Sequence, residues 1–454
     1  MTRSPLRSLV ALLGALSLLL AAAAPAAEPL RLDPPSPSRP LPAPTLLAPK
    51  ADAAAVASWP ALAAAHAAGQ SDRVRAIAEA AVEASRAAHG ERDPRTLDAR
   101  LNQAVALLEG GDLRRAGELY ARLINEASAA EGLRARQLEG AWHGLGLAAL
   151  AAGNPGDAER AFAAALQAYR VEQGLHAPGQ IGYLDAMTQS AARRARLDLA
   201  DGYQLRRIEL VERLHDERSL ERADAAQALA DWYDRSDRPR LALQAHAYRI
   251  DILTRAWGRD DPRLLDALLD AARAYAQVVD RYRERPYSVT LRNGTVVQTT
   301  EPPLATAVRL LKKPETKLTA SERARLFLKI GDVHWIHGDR RRALAAWKVA
   351  AESSAATAER LSRPEAIEWP AGWPQPAASD AAGQVELSFT VSDRGRAKDI
   401  AQAAIRPADD AAGSAVVAAL RKALGQVHFR PAIRAGAIVG GIEMRYPHPF
   451  QPAS

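Results

Sequence analysis

The stretch from Trp142 to Ala165, WHGLGLAALAAGNPGDAERAFAAA, constrains the chain more than any other. Its apolar residues recur every three or four positions on either side of Gly153, the pattern of two short helices joined by a tight turn. Gly146 and Ala158 are small where two such helices cross, and Trp142, Leu145, Phe162 and Ala165 supply bulk around the crossing. The pattern then repeats. A step of 42 residues back from Gly153 reaches Gly111 and Gly69, and the same step forward reaches Ala195, Asp237 and Val279. Five residues after each of these, the crossing position reads Val74, Ala116, Ala158, Ala200, Ala242 and Glu284. Nine residues after, it reads Ala78, Tyr120, Phe162, Gln204 and His246. Gly90 and Pro94, Gly174 and Pro178, and Gly258 and Pro262 fall on multiples of the same step and punctuate the helices. Only the fourth unit, around Ala195, is poor, because Gln204 and Arg207 stand at core positions. A chain built this way stacks hairpins, each burying its apolar face on the next.

Trp142, Leu145 and Gly146 followed by Ala158 and Phe162 match the tetratricopeptide pattern W-x2-L-G…A-x3-F. The longer step, with Gly and Pro between units, resembles the 42-residue repeats of the kinesin-light-chain kind. The eight extra residues correspond to about 12 Å of helix, roughly one turn on each helix of the hairpin. This resemblance covers about residues 58 to 285 and implies a mainly α fold, a solenoid over residues 51–362. The Ala- and Leu-rich composition, with only 5% aromatic residues, favours such close-packed helices.

After Tyr282 the period breaks. Two β-branched runs flank Asn293-Gly294, a strong β-hairpin signal. A complete unit then returns with Phe327, Ile330, Gly331, His334, Gly338, Ala343, Trp347 and Ala350. The reading is a hairpin insertion at 284–303, placed between the penultimate and last units.

Such an array exposes a face lined by the first helix of each pair, suited to extended peptides. Outward positions there nominate Gln189, Arg193, Gln227, Asp231, Arg235, Arg273 and Gln277 as a partner-binding groove. No catalytic motif stands out. His334 and His337 are three apart and share a helix face, but no carboxylate or third His follows at metal spacing, and His334 falls on a packing position. No enzyme activity, cofactor or metal is expected. The net charge of +7 is spread over interspersed Lys, Arg, Asp and Glu, without a basic tract, so nucleic acid is not an expected partner.

Beyond a proline-rich linker at 363–382, Val385, Leu387, Phe389 and Val391 alternate with polar residues, the signature of a half-buried strand. Asp393-Arg394-Gly395 makes a turn, Ala397–Ile405 a second strand, Ala412–Leu424 an amphipathic helix, and Ile438–Tyr446 a closing strand. The order is ββαβ, a small α+β domain over 383–450. Gly383-Gln384-Val385, Asp393-Arg394-Gly395, the helix end Ala419-Leu420-Arg421-Lys422-Ala423-Leu424, Phe429-Arg430-Pro431-Ala432 and Phe450 together resemble the C-terminal domain of the TonB energy-transducer family. That resemblance implies capture of an extended segment, such as part of an outer-membrane receptor, by strand addition at a sheet edge. By analogy the edge residues are Ile438, Val439, Ile442, Met444 and Tyr446.

Arg3 and Arg7, the apolar run Leu9–Ala24 and the small residues Ala24-Pro25-Ala26 read as a signal peptide over residues 1–27. The run is shorter than the ~20 residues of a membrane span, so cleavage and export are expected. Residues 28–50 are proline-rich and are expected to be an extended, disordered leader. The chain has no Cys, which excludes disulfides and thiolate metal sites. The combined expectation is a periplasmic interaction scaffold that binds envelope proteins or peptides. The alternative is an inner-membrane-anchored transducer of the TonB type, whose only membrane contact is an uncleaved N-terminal segment.

Overall fold

The computed structural model describes residues 30–31, 41–49, 53–132, 135–282, 288–290, 296–298, 302–313, 316–370, 373–374, 383–406 and 411–450. The signal-peptide segment and the Asn293-Gly294 turn lie outside these. Five regular helical hairpins come first. They are α1 (Ala53–Ala67) with α2 (Ser71–His89), α3 (Pro94–Glu109) with α4 (Leu113–Glu131), α5 (Gln137–Ala151) with α6 (Pro155–Gln173), α7 (Gln180–Arg193) with α8 (Leu197–Leu214), and α9 (Leu220–Arg235) with α10 (Pro239–Trp257). The sixth unit pairs α11 (Leu265–Tyr282) with the short α12 (Pro303–Leu311), and α13 (Ala320–Ile336) with α14 (Arg340–Ser353) forms the seventh. The brief α15 (Ala355–Leu361) follows.

The 42-residue step has a backbone cause. Gly69, Gly111, Gly153 and Gly338 all turn with positive φ, between 64° and 80°. Ala195 and Asp237 take the same left-handed conformation at 55° without being glycine. Five residues on, Val74, Ala116, Ala158, Ala200, Ala242 and Ala343 are each 0% exposed. Only a small side chain lets the two helices of a hairpin come together there. At the sixth in-phase position, Val279, there is no turn: α11 runs through it to Tyr282. The insertion therefore lies inside the sixth unit, between α11 and α12, and not between units as its sequence position suggests. Its two described strands, β2 (Ser288–Thr290) and β3 (Val296–Gln298), pair antiparallel.

Gly146 and Gly331 explain the glycine of the repeat pattern. A Cβ on Gly146 would stand 2.6 Å from Phe162 Cε1, and one on Gly331 would stand 2.3 Å from Trp347 Cδ1. In the fourth unit the same arrangement is polar. Gln204 replaces the aromatic residue and donates to Thr188 Oγ1 at 3.1 Å, while buried Arg207 places Nε 3.4 Å from Asp185 Oδ1. The unit that looked poor in sequence is thus held by a buried network rather than by apolar packing.

The C-terminal module contributes the antiparallel strands β10 (Ile442–Phe450), β5 (Gly383–Val391) and β6 (Ala397–Arg406), in that order, to a four-stranded sheet whose outer strand beside β10 is β1 (Leu30–Arg31), with α16 (Ala411–Leu424) packed on it. Val385, Leu387, Phe389 and Val391 meet Val417, Leu420 and Leu424 in its core. The expected closing strand is divided. Ile438 and Val439 belong to β9 (Ala437–Val439), which pairs with β8 (Ala432–Arg434), whereas Ile442, Met444 and Tyr446 lie in β10. Gly440 and Gly441 make the break: a Cβ on Gly440 would press 2.5 Å from the Asp393 nitrogen, and Gly441 has φ of 73°. The linker also departs from expectation. Its first residues form β4 (Glu365–Glu368), paired antiparallel with β7 (His428–Arg430).

The opposing demands at a helix crossing and at a turn are testable. Gly146→Ala, which helix propensity alone would favour by about 1 kcal/mol, is expected to cost a net 1–3 kcal/mol through overpacking on Phe162. Ala195→Gly should stabilise by about 0.5–1 kcal/mol by relieving the left-handed Cβ. Native-state hydrogen exchange at amides of the affected hairpin measures both, since a long array does not unfold as one unit.

Candidate functional site

Part of the proline-rich leader is held against the array. Residues 41–49 adopt no helix or strand and lie across the first helices of the array, correcting the expectation of disorder. Asn102, in the interior of α3, is buried and uses its whole carboxamide on one leader residue. It accepts from the Leu47 N–H at 2.7 Å and donates to the Leu47 carbonyl at 3.0 Å. Arg136 donates to the Ala48 carbonyl at 2.6 Å. Leu41 packs beside Leu150 and Tyr183, Leu46 beside Leu62 and Ala106, and Leu47 beside Leu101. On α7, Gly182 leaves room for Pro42, whose Cγ would lie 2.8 Å from an added Cβ. Leader order therefore runs against array order, from the third and fourth units back to the first and second. Disorder was expected because prolines forbid helix; but extended backbone with alternating Leu and Pro still buries side chains on an apolar face, and a carboxamide satisfies its polar groups.

The residues nominated for the groove lie further along, and most are engaged within the chain. Arg193 donates to the Leu150 carbonyl at 3.1 Å, and Gln227 donates to Asp231 at 2.5 Å. Gln189 and Arg235 also have partners of their own. Arg273 binds Asp234 at 3.1 Å, beside buried His246. Burial opposes ionisation of Asp234, but His246 and Arg273 outweigh it and hold its carboxyl below the ordinary range. Gln277 lines a cavity of about 200 Å³ shared with Glu368 and His428, so the C-terminal module sits over this end of the array. Asn102, the residue that grips a peptide, was not nominated. Its one signal in sequence is a polar amide between Leu101 and the apolar run Ala104–Leu108.

The module is fastened to the last unit by the very element that carries its family resemblance. Arg430 is 1% exposed, and its Nη1 lies 3.1 and 3.0 Å from the two carboxylate oxygens of Asp332 on α13. Its Nη2 donates to Glu365, which also accepts from Arg360. Asp332 accepts from Trp347 Nε1 at 3.0 Å, and Trp335 Nε1 donates to the Phe429 carbonyl at 3.0 Å. Burial pushes the Asp332 carboxyl up despite Arg430. Burial also opposes the charge on Glu365, but Arg360 and Arg430 hold it below its usual value.

The free side of β10 carries β1 (Leu30–Arg31), with Leu30 opposite Met444 and Arg31 opposite Arg445 in parallel sense. Ile438 packs on the core of the last repeat unit instead, and Val439 pairs with Ala432 of β8. Met444 and Tyr446 turn their side chains into the module core, leaving backbone to pair. Among the described residues, no cluster of His, Cys, Asp and Glu suits a metal ion, and no helix is long and apolar enough to cross a membrane.

No protein-family model and no curated protein matches the sequence. Several solved structures are similar to part of this chain. A kinesin light chain with nearly identical TPR-like repeats from Podosopora anserina is 13% identical over 44% of this chain and 95% of its own, with a TM-score of 0.40. BtubC from P. vanneervenii is 17% identical over 54% of this chain and 91% of its own, at 0.33. The assembly chaperone of RpL4 is 16% identical over 59% and 96%, at 0.27. The array is TPR-like on its own hairpin geometry, and the chain is mainly helical with a small strand-containing C-terminal module.

Arg430→Ala would leave the Asp332 carboxylate without its cation, while Glu365 keeps Arg360, and is expected to cost about 3–5 kcal/mol of docking free energy. Small-angle scattering should then report a larger radius of gyration, and Asp332→Asn in the same chain should restore part of the compact form.

Proposed function

We propose that this chain is an interaction scaffold that holds extended peptide segments on the face of its first helices. The observation that carries this reading is Asn102, whose carboxamide pairs with both backbone groups of Leu47. Backbone recognition of this kind tolerates many sequences, while the neighbouring Leu and Pro sites select among them. The leader is the occupant in the free chain, so partners compete with it. We place the scaffold in the periplasm, a reading supported by the basic start, apolar run and small-residue site of residues 1–27. Its partners are then envelope proteins or peptides.

A second reading has one observation in its favour. The free side of β10 already pairs with a short strand, β1, which is how a TonB-like domain would take up a receptor segment. In that reading an uncleaved N-terminal segment anchors the chain in the inner membrane and the protein serves outer-membrane transport. Mass spectrometry of the native N-terminus separates the two: a start after Ala27 supports the exported scaffold, and retention of Met1–Ala27 supports the transducer.

The groove itself is tested with the peptide LPAPTLLAP, residues 41–49. It is expected to bind a chain lacking residues 28–50, its fold checked by circular dichroism, and to bind the intact chain far more weakly. Asn102→Ala should weaken that binding about 5- to 30-fold, the worth of two hydrogen bonds to a buried backbone. Equal binding by both chains, or indifference to Asn102, would sink the scaffold reading.

A further inference from the structure

The sixth unit leaves a cavity that its neighbours do not have. The second helices of the five preceding units are 18 or 19 residues long, but α12 has nine. The shortfall is roughly 15 Å of helix. What remains of that helix sits at one end: Ala307 and Leu310 pack on Leu265, Leu268 and Leu269, the N-terminal half of α11. On the C-terminal half of α11, Ala272 and Ala276 cluster with Val333 and Ile336 of α13, and beside them a cavity of about 760 Å³ opens, lined by α11, α12, the end of α13 and Arg342 of α14.

The two ends of this cavity differ in chemistry. Ala272 and Val279 from α11, with Leu304, Ala305 and Val308 from α12, make an apolar floor. Lys312, His334, His337 and Arg342 converge on its rim, and no Asp or Glu is among the described lining residues. The two histidines of the His334-Trp335-Ile336-His337 stretch thus share one cavity, although no third ligand among the described residues makes them a metal site. Among the described residues, the Arg342 Nε stands 3.5 Å from Asp339 across one exposed helix turn.

We propose that this cavity binds an apolar molecule carrying one carboxylate, with its tail on the α11–α12 floor and its head among Lys312, His334, His337 and Arg342. A volume of this size suits a ligand of medium chain length, and an apolar wall with a few polar groups at one end is the usual form of a small-molecule site. The rim also lacks what an anion would supply. Burial first, then Arg342 and His337, push the His334 pKa down against the pull of Asp339. Burial lowers His337 likewise, opposed by Asp280. Both imidazoles are therefore neutral at neutral pH in the free chain. An arriving carboxylate favours their protonated forms, so binding takes up protons and strengthens as the pH falls. This site is separate from the leader-binding face, and its test leaves that reading untouched.

Calorimetric titration of the full chain with octanoate, 1-octanol and acetate tests the proposal. Octanoate is expected to bind at least about tenfold more tightly than either control, since only it carries both the charged head and the tail. Its affinity should rise from pH 7.5 to pH 5.5, a range in which octanoate stays ionised. Arg342→Gln combined with His337→Gln, neither of them part of a packed core cluster, should remove the preference for octanoate over octanol. Val279→Phe should block both ligands while leaving the circular dichroism melt in place. Equal affinity for octanol, no saturation by octanoate at millimolar concentration, or a double variant that binds octanoate like the parent would each overturn the assignment.

Discussion

Everything in this molecule depends on one steric requirement, the close crossing of two helices at a side chain no larger than alanine or valine. That requirement recurs at Val74, Ala116, Ala158, Ala200, Ala242 and Ala343, all without exposed surface. Each crossing is set by a left-handed turn five residues earlier, so turn and crossing cannot drift apart without clash. The energy of the array lies mainly between adjacent helices, as expected when no single core gathers the chain. Where the crossing partner is large, as with Phe162 and Trp347, the opposite helix must carry glycine, and Gly146 and Gly331 do. Where it is polar, as with Gln204, the opposite helix carries a hydroxyl, Thr188, to receive it. The same geometry is satisfied with three different chemistries.

Much of this was legible in the sequence because packing residues repeat. A periodic requirement leaves a periodic record, and the step, the turns and the number of hairpins could be read from it. The strand alternation of β5 was readable for the same reason. The functional surfaces were not, because they arise from contacts between segments far apart in the chain. Asn102 looks like an ordinary polar intruder until Leu47, fifty-five residues away, is seen against it. The leader's prolines announce extension, and extension was mistaken for disorder, since nothing local tells an extended segment whether a surface awaits it. Position in sequence also misplaced the insertion. Only the continuation of α11 through Val279 shows that the inserted residues interrupt a hairpin.

Arg430 shows how a family-like motif can carry a local duty. In the sequence, Phe429-Arg430-Pro431-Ala432 marks a resemblance to a domain that binds other chains. In the structure, Phe429 is buried in the module core, while Arg430 reaches the opposite way into the last repeat unit. Its guanidinium meets Asp332 and Glu365 together, the planar fork that lysine could not reproduce. A buried ion pair of this kind adds little net stability over a packed apolar contact, but it tolerates almost no other arrangement. Its effect is to fix one orientation of the module on the array. The edge of β10 and the face of the first helices are thereby held in a constant relation.

The departures from the repeat therefore carry the information about function. Asn102, the Gln204–Arg207 network, the shortened α12 and the docked Arg430 all sit where the array fails to copy itself, and each brings polar groups to a place the repeat would keep apolar. Such groups cost free energy to bury, so they persist only where geometry satisfies them. Asn102 is satisfied by a peptide backbone, Arg207 by Asp185, and Arg430 by Asp332 and Glu365. At the sixth unit the accounting is incomplete: four nitrogen-bearing side chains line a cavity with an apolar floor, and among the described residues the carboxylates that act on them, Asp339 and Asp280, stand outside its lining. That imbalance, rather than the size of the cavity, makes the shortened α12 more than a tolerated deletion.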